Sequence, residues 1–226
     1  MDKLLETIEI ETAKNPSSAV IWMHGLGADA NDFVPIVNEL GLDGAPAVRF
    51  VFPNAPMRAV TINNGYVMRA WYDVSFGDLE GKGRRADETG VRESQAQIGA
   101  LIEREAGRGI AHKNILLAGF SQGGAIALHT GLRYPRKLGG VLALSTYLPL
   151  ADSFPQEATA ENKATPVFMA HGVFDPVVPL VMGAGSMTFL TGLGYAIDWR
   201  QYPMQHSVCA QEIQDIGAWL RKVLKA

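Results

Sequence analysis

The sequence holds one cysteine, Cys209, in 226 residues, so no disulfide can close within it. No stretch approaches the roughly 18 consecutive apolar residues of a membrane-spanning helix. The opening segment MDKLLETIEIETAKNPSS has neither the apolar core of about 7–15 residues nor the small-residue cleavage site of a signal peptide. Charge of one sign is scarce as well, the formal net charge being −3. The one basic cluster, GKGRR at 81–85, is short and glycine-flanked and reads as a solvated loop. These absences predict no nucleic-acid partner and no stable membrane insertion, and they point to the cytoplasm.

The composition, 47% apolar and 19% charged, is that of a compact soluble protein. No repeat, low-complexity tract or linker divides the chain, so residues 1–226 are expected to form one domain. Short apolar runs rich in β-branched residues alternate with helix-patterned stretches. TIEIET, AVIWMHG, VRFVFPN, NILLAGF, GGVLALS, PVFMAHG and YAIDWRQY read as strands. Val91, Ile98 and Ile102 mark one helix face; Cys209, Ile213, Ile216, Leu220 and Val223 mark another. This alternation predicts an α/β fold, a mostly parallel central sheet with helices on both faces. In such sheets ligands bind beyond the carboxyl ends of the strands, so functional residues should follow the apolar runs directly.

One segment meets that condition with a recognisable chemistry. GFSQGGA places Ser121 immediately after a strand candidate and before a helix, in the pattern Gly119-x-Ser121-x-Gly123. This is the spacing of a nucleophile elbow, where a sharp turn exposes the serine hydroxyl and flanking glycines prevent collisions. A serine hydroxyl is a weak nucleophile at neutral pH and needs a base. Of five histidines, His24 and His112 precede the serine, His129 lies in the following helix and His171 ends a strand candidate. His206, between the last strand and the last helix, stands where the base is expected. Asp175, in HGVFDPVVP, follows a strand and is held by Pro176 and Pro179, so it is read as the acid. Asp198, inside a strand pattern, and Asp152, in a polar loop, are its competitors. His171 is then a structural residue near the Asp175 turn.

A tetrahedral intermediate needs fixed N–H donors. The backbone N–H of Gln122, at the start of the following helix, is one expected donor, and that of Leu26, in the early loop MHGLGAD, is the other. Cys209 is read as a buried apolar residue, not as a reactive thiol.

HGLGAD, GFSQGGA, ALSTYLP, DPVVP and QHSV, in this order, resemble the small carboxylesterases that also include acyl-protein thioesterases, the phospholipase/carboxylesterase family of α/β-hydrolases. The resemblance runs from about Val20 to the end of the chain. It implies an α/β-hydrolase fold without a large cap domain. It also implies a triad at Ser121, Asp175 and His206, oxyanion donors at Leu26 and Gln122, and no metal or cofactor. Similar enzymes are often monomers or weak homodimers, and the resemblance implies one or the other here.

Two positions depart from the family pattern. Gln205 stands where a glycine usually precedes the histidine, and Thr146 where a glycine or small residue usually follows ALS. Both bear on substrate range more than on chemistry. In the family the region 54–83 flanks an apolar acyl groove, so Met68, Trp71 and Phe76 are expected walls, with Tyr147 and Val177 beside the triad.

The expected function is a carboxylesterase that cleaves short- to medium-chain acyl esters, its partner being a small-molecule ester. Two other readings remain open. One is a thioesterase or lysophospholipase acting on S-acylated proteins or lysolipids; the other is a catalytically silent binding protein on the same fold.

Overall fold

The structure is a computed structural model that describes residues 4–75 and 87–225. Phe76 and the basic cluster at 81–85 lie outside the described residues.

All seven strand candidates are strands of one sheet. They are β1 (Thr7–Glu11), β2 (Ser18–Met23), β3 (Val48–Pro53), β6 (Ile115–Phe120), β7 (Gly140–Leu144), β8 (Val167–Gly172) and β9 (Ile197–Tyr202). Their spatial order is β1-β3-β2-β6-β7-β8-β9, with β1 antiparallel to β3 and every other pair parallel. β2 and β8 are buried at every residue and β6 at all but Phe120, as expected of strands covered on both faces. The edge strand β1 is only partly buried.

Among the described residues the α-helices are α1 (Glu88–Gly107), α2 (Gln122–Arg133), the single turn α3 (Phe154–Glu157), α4 (Leu180–Gly192) and α5 (Ala210–Val223). Val91, Ile98 and Leu101 of α1 pack with Ile126 and Leu128 of α2 and Leu190 of α4 in one core. On the opposite face, Ile216, Trp219 and Leu220 of α5 join Phe50, Phe168 and the 3-10 turn at Val34–Asn38. Asp87 caps α1, its carboxylate accepting the Gly90 N–H at 2.9 Å. Cys209 falls one residue before α5, at its N-cap, and is half-buried against this second core.

The segment 54–75, part of the region expected from the resemblance to flank the acyl groove, contains a separate antiparallel hairpin, β4 (Met57–Val60) with β5 (Tyr66–Arg69). Burial alternates along β4, but Met57 and Ala59 are exposed while Arg58 is half-buried, and in β5 both Tyr66 and Val67 are exposed, so neither strand shows the apolar-in, polar-out pattern that marks a strand in the sequence.

Register fixes which loops meet. Met23 pairs with Gly119, Phe120 with Leu144 and Gly172 with Tyr202. The loops after β2 and β6 are therefore neighbours at the carboxyl edge, as are those after β8 and β9. Among the described residues no large cap domain covers this edge, and no helix is long and apolar enough to cross a membrane.

Candidate active site

Between β6 and α2 the backbone turns at Ser121 with φ 53° and ψ −120°. A non-glycine residue held there stores strain of about 1–3 kcal/mol. Three glycines make the turn feasible. A Cβ at Gly119 would stand 2.3 Å from the Gly123 carbonyl oxygen, and one at Gly123 would stand 2.3 Å from the Met23 carbonyl oxygen. A Cβ at Gly124 would meet the Thr146 side chain at 2.8 Å. Thr146 lies under this turn and donates its hydroxyl to the Ser121 carbonyl at 2.7 Å.

The loop after β9 brings His206 to the serine. Its Nε2 lies 2.9 Å from Ser121 Oγ and its Nδ1 lies 2.7 Å from Asp175 Oδ2. The Phe120 ring packs on the imidazole with centroids 4.7 Å apart. Gly172, at the end of β8, admits this loop, since a Cβ there would stand 2.3 Å from the Gln205 carbonyl oxygen. The Gln205 side chain is exposed, so the residue that departs from the family pattern faces solvent while its backbone packs on Gly172.

The Asp175 carboxylate is buried, and its second oxygen accepts the N–H groups of Val177 and Val178 at 2.8 and 2.9 Å. Pro176 has no N–H, so the two amides after it are the ones that close the turn. His171 supports the same turn from below, its Nε2–H donating to the Val178 carbonyl at 2.8 Å. Burial pushes the His171 imidazole below the ordinary histidine range, so it is a neutral donor here.

The competing residues lie elsewhere. Asp198 pairs with Arg200, and Asp152 sits in the 3-10 turn Ala151–Ser153. His112 pairs with Glu103 at 3.1 Å. His129 is buried in α2 against Gln95, its pKa lowered by burial to about 3.

A cavity of about 320 Å³ opens over Ser121 and His206. Leu26 and Gln122 border it, as do Tyr147 and Val177. Trp71 does not: it is fully buried and stands behind Tyr72, which faces the cavity in its place. The expectation that Trp71 is an acyl wall is therefore corrected. The chain bends at Trp71 and Tyr72, after the end of β5, and of these two consecutive aromatics only Tyr72 borders the cavity. Met68 also lies off the cavity, its sulfur accepting the Asn63 amide at 3.3 Å. Sequence reasoning missed Tyr72, whose hydroxyl is 3.0 Å from that of Tyr147, and Asp32, whose carboxyl is raised by burial. No motif marks either residue.

The phospholipase/carboxylesterase family model matches residues 5–224. Acyl-protein thioesterase 1 of Gibberella zeae is 38% identical over 218 residues, which cover 94% of this chain and 93% of that protein. Carboxylesterase SOBER1 of Arabidopsis thaliana is 35% identical over 208 residues, covering 91% and 90%. The crystal structure of SOBER1 superimposes with a TM-score of 0.83 at 32% identity, covering 92% of this chain and 99% of that one. Sequence likeness over nearly the whole length and a shared α/β-hydrolase sheet agree: the chain belongs to the phospholipase/carboxylesterase family and is a carboxylic-ester hydrolase.

Proposed function

We propose that Ser121, His206 and Asp175 form the catalytic triad of a carboxylesterase acting on short- to medium-chain acyl esters. The observation that carries this reading is the His206 ring, bonded to Ser121 Oγ on one side and Asp175 Oδ2 on the other. Asp175 holds the imidazole with Nδ1 protonated, leaving Nε2 to take the Ser121 proton as Oγ attacks the acyl carbon. The N–H groups of Leu26 and Gln122 receive the charge on the tetrahedral oxygen. Each such donor contributes about 10²–10³ in rate. Gln122 opens α2, so its N–H has no partner inside the helix. The tetrahedral species collapses as His206 returns the proton to the leaving alkoxide. Water, deprotonated by the same imidazole, then attacks the acyl-serine and releases the acid. The 320 Å³ cavity, bordered by Tyr72, Tyr147, Val74 and Val177, suits a modest acyl chain. The enzyme works as one cytoplasmic domain over residues 1–226, as a monomer or weak homodimer, on a small-molecule ester.

The test is Ser121→Ala. The variant is expected to fold, with no turnover of p-nitrophenyl butyrate and no labelling by a fluorophosphonate. Turnover equal to that of the parent protein would overturn the assignment.

A second reading, a thioesterase acting on S-acylated proteins, is favoured by the 38% identity to acyl-protein thioesterase 1 of Gibberella zeae. The same triad serves oxygen and sulfur esters. Rates on matched esters and thioesters of increasing acyl length separate the two.

A further inference from the structure

Two peptide planes, Gly25–Leu26 and Ser121–Gln122, carry the proposed oxyanion donors, and buried side chains behind the cavity tie one to the other. His24 is 2% exposed and fixes the first plane. Its Nε2 accepts the Ala55 N–H at 3.1 Å, which leaves the proton on Nδ1. Burial lowers the pKa of this imidazole and keeps it neutral. Nδ1–H in turn donates to the Gly25 carbonyl at 2.7 Å. The Gly25–Leu26 peptide is trans, so its N–H points opposite to its carbonyl. With the carbonyl held by His24, the Leu26 N–H is turned away from the core, and Leu26 borders the cavity over Ser121.

Trp71 connects this arrangement to the second plane. Its indole N–H donates to the His24 carbonyl at 2.9 Å, and its ring packs on the His24 ring with centroids 5.4 Å apart. Its backbone N–H donates to Gln122 Oε1 at 2.7 Å, while Gln122 Nε2 donates to the Tyr72 carbonyl at 2.6 Å. The Ser94 hydroxyl donates to the Trp71 carbonyl from α1. Every polar group of Trp71 is thus committed, and the residue is fully buried.

We infer that Trp71 is a positioning residue for ester hydrolysis: through His24 on one side and the Gln122 side chain on the other, it sets the spacing of the Leu26 and Gln122 N–H groups. The inference rests on the oxyanion reading above and adds what holds the two donors at a fixed separation. An oxyanion hole stabilises charge only when its donors are already in place, so loosening the link lowers turnover without weakening substrate binding.

Trp71→Phe keeps an aromatic ring beside His24 and removes the indole N–H together with part of the buried ring. Gln122→Met keeps the backbone N–H and removes both side-chain bonds, and it reads the same link if Trp71→Phe fails to fold. Active sites are counted by fluorophosphonate titration at completion, so that turnover is expressed per competent site. We expect kcat per site on p-nitrophenyl butyrate to fall at least about tenfold, with KM within about twofold of the parent. Inhibition by butylboronic acid, whose tetrahedral adduct on serine places an oxygen in the hole, weakens by the same factor as kcat/KM. Inhibition by butyrate, the reaction product, stays unchanged.

Loss confined to the number of titratable sites or to the melting temperature, with normal kcat per site, would mean that Trp71 only supports the fold and would overturn the inference. The underlying oxyanion reading fails on a separate result: parent protein that binds butylboronic acid no more tightly than butyrate.

Discussion

Gly119 and Gly123 face each other across the turn at Ser121 so closely that a Cβ on Gly119 would stand 2.3 Å from the Gly123 carbonyl oxygen. The obstructing atoms are backbone, so no rotamer change relieves the contact. Gly119→Ala and Gly123→Ala are each expected to destabilise by at least about 3 kcal/mol, read from urea denaturation or from loss of soluble protein. Gly99, within α1, has no neighbour closer than 4.0 Å to a Cβ. Gly99→Ala should therefore stabilise by about 0.5–1 kcal/mol, because the helix loses a flexible residue at no steric cost.

Asp175→Asn separates orientation from burial. The Asn carbonyl oxygen can still accept the Val177 and Val178 N–H groups, so the melting temperature should move little. Its amide cannot accept the His206 Nδ1 proton, so the imidazole tautomer is wrong for deprotonating Ser121. A fall in kcat of about 10³–10⁴ is expected. A loss smaller than tenfold would contradict the role given to Asp175.

Glu212, in the first turn of α5, gives a pH signature unrelated to catalysis. It is fully buried, and desolvation pushes its carboxyl up to about 8, with Asp215 adding repulsion. Between the ordinary carboxylate range and pH 8 the folded protein keeps a proton that the unfolded chain releases. Stability contributed by the neutral carboxyl is therefore complete at low pH and is lost as pH rises through that window. Glu212→Gln cannot ionise and should escape the loss. Its stability relative to the parent should rise from pH 4 to pH 8 by on the order of 2–4 kcal/mol, measured by denaturation at each pH. A pH-independent difference would rule out the buried titration.

Thr146→Val tests the residue that departs from the family pattern beneath the elbow. Valine keeps the methyl that packs on Gly124 and loses the hydroxyl bond to the Ser121 carbonyl. That carbonyl still accepts the Ala125 N–H at 3.1 Å. A destabilisation of about 1 kcal/mol, with kcat reduced less than tenfold, is expected. A hundredfold loss of kcat would make Thr146 a determinant of the serine geometry.

The strands themselves, and the carboxyl edge that carries the candidate site, were legible because they rest on local signals. NILLAGF and PVFMAHG are uninterrupted apolar runs, and a parallel sheet covered on both faces buries such runs completely. The β4–β5 hairpin was illegible because it exposes Met57, Tyr66 and Val67 and half-buries Arg58, so its sequence lacks the apolar-in, polar-out alternation of a half-buried strand. Trp71 and Tyr72 were indistinguishable for a related reason. Both are aromatic, and only the neighbouring chain decides which is enclosed and which borders the cavity.

The sequence by itself determined the residue types that ester chemistry requires and the punctuation that places each at a strand end: glycines about Ser121, prolines about Asp175, a loop histidine at 206. Glycine and proline act on their own backbone, so their message survives without a fold. Only the tertiary structure decided which groups meet across 31 or 85 residues of chain, and that Trp71 lies behind the cavity joined to both loops. Those contacts come from sheet register and burial, which depend on every strand at once and are written in no single segment.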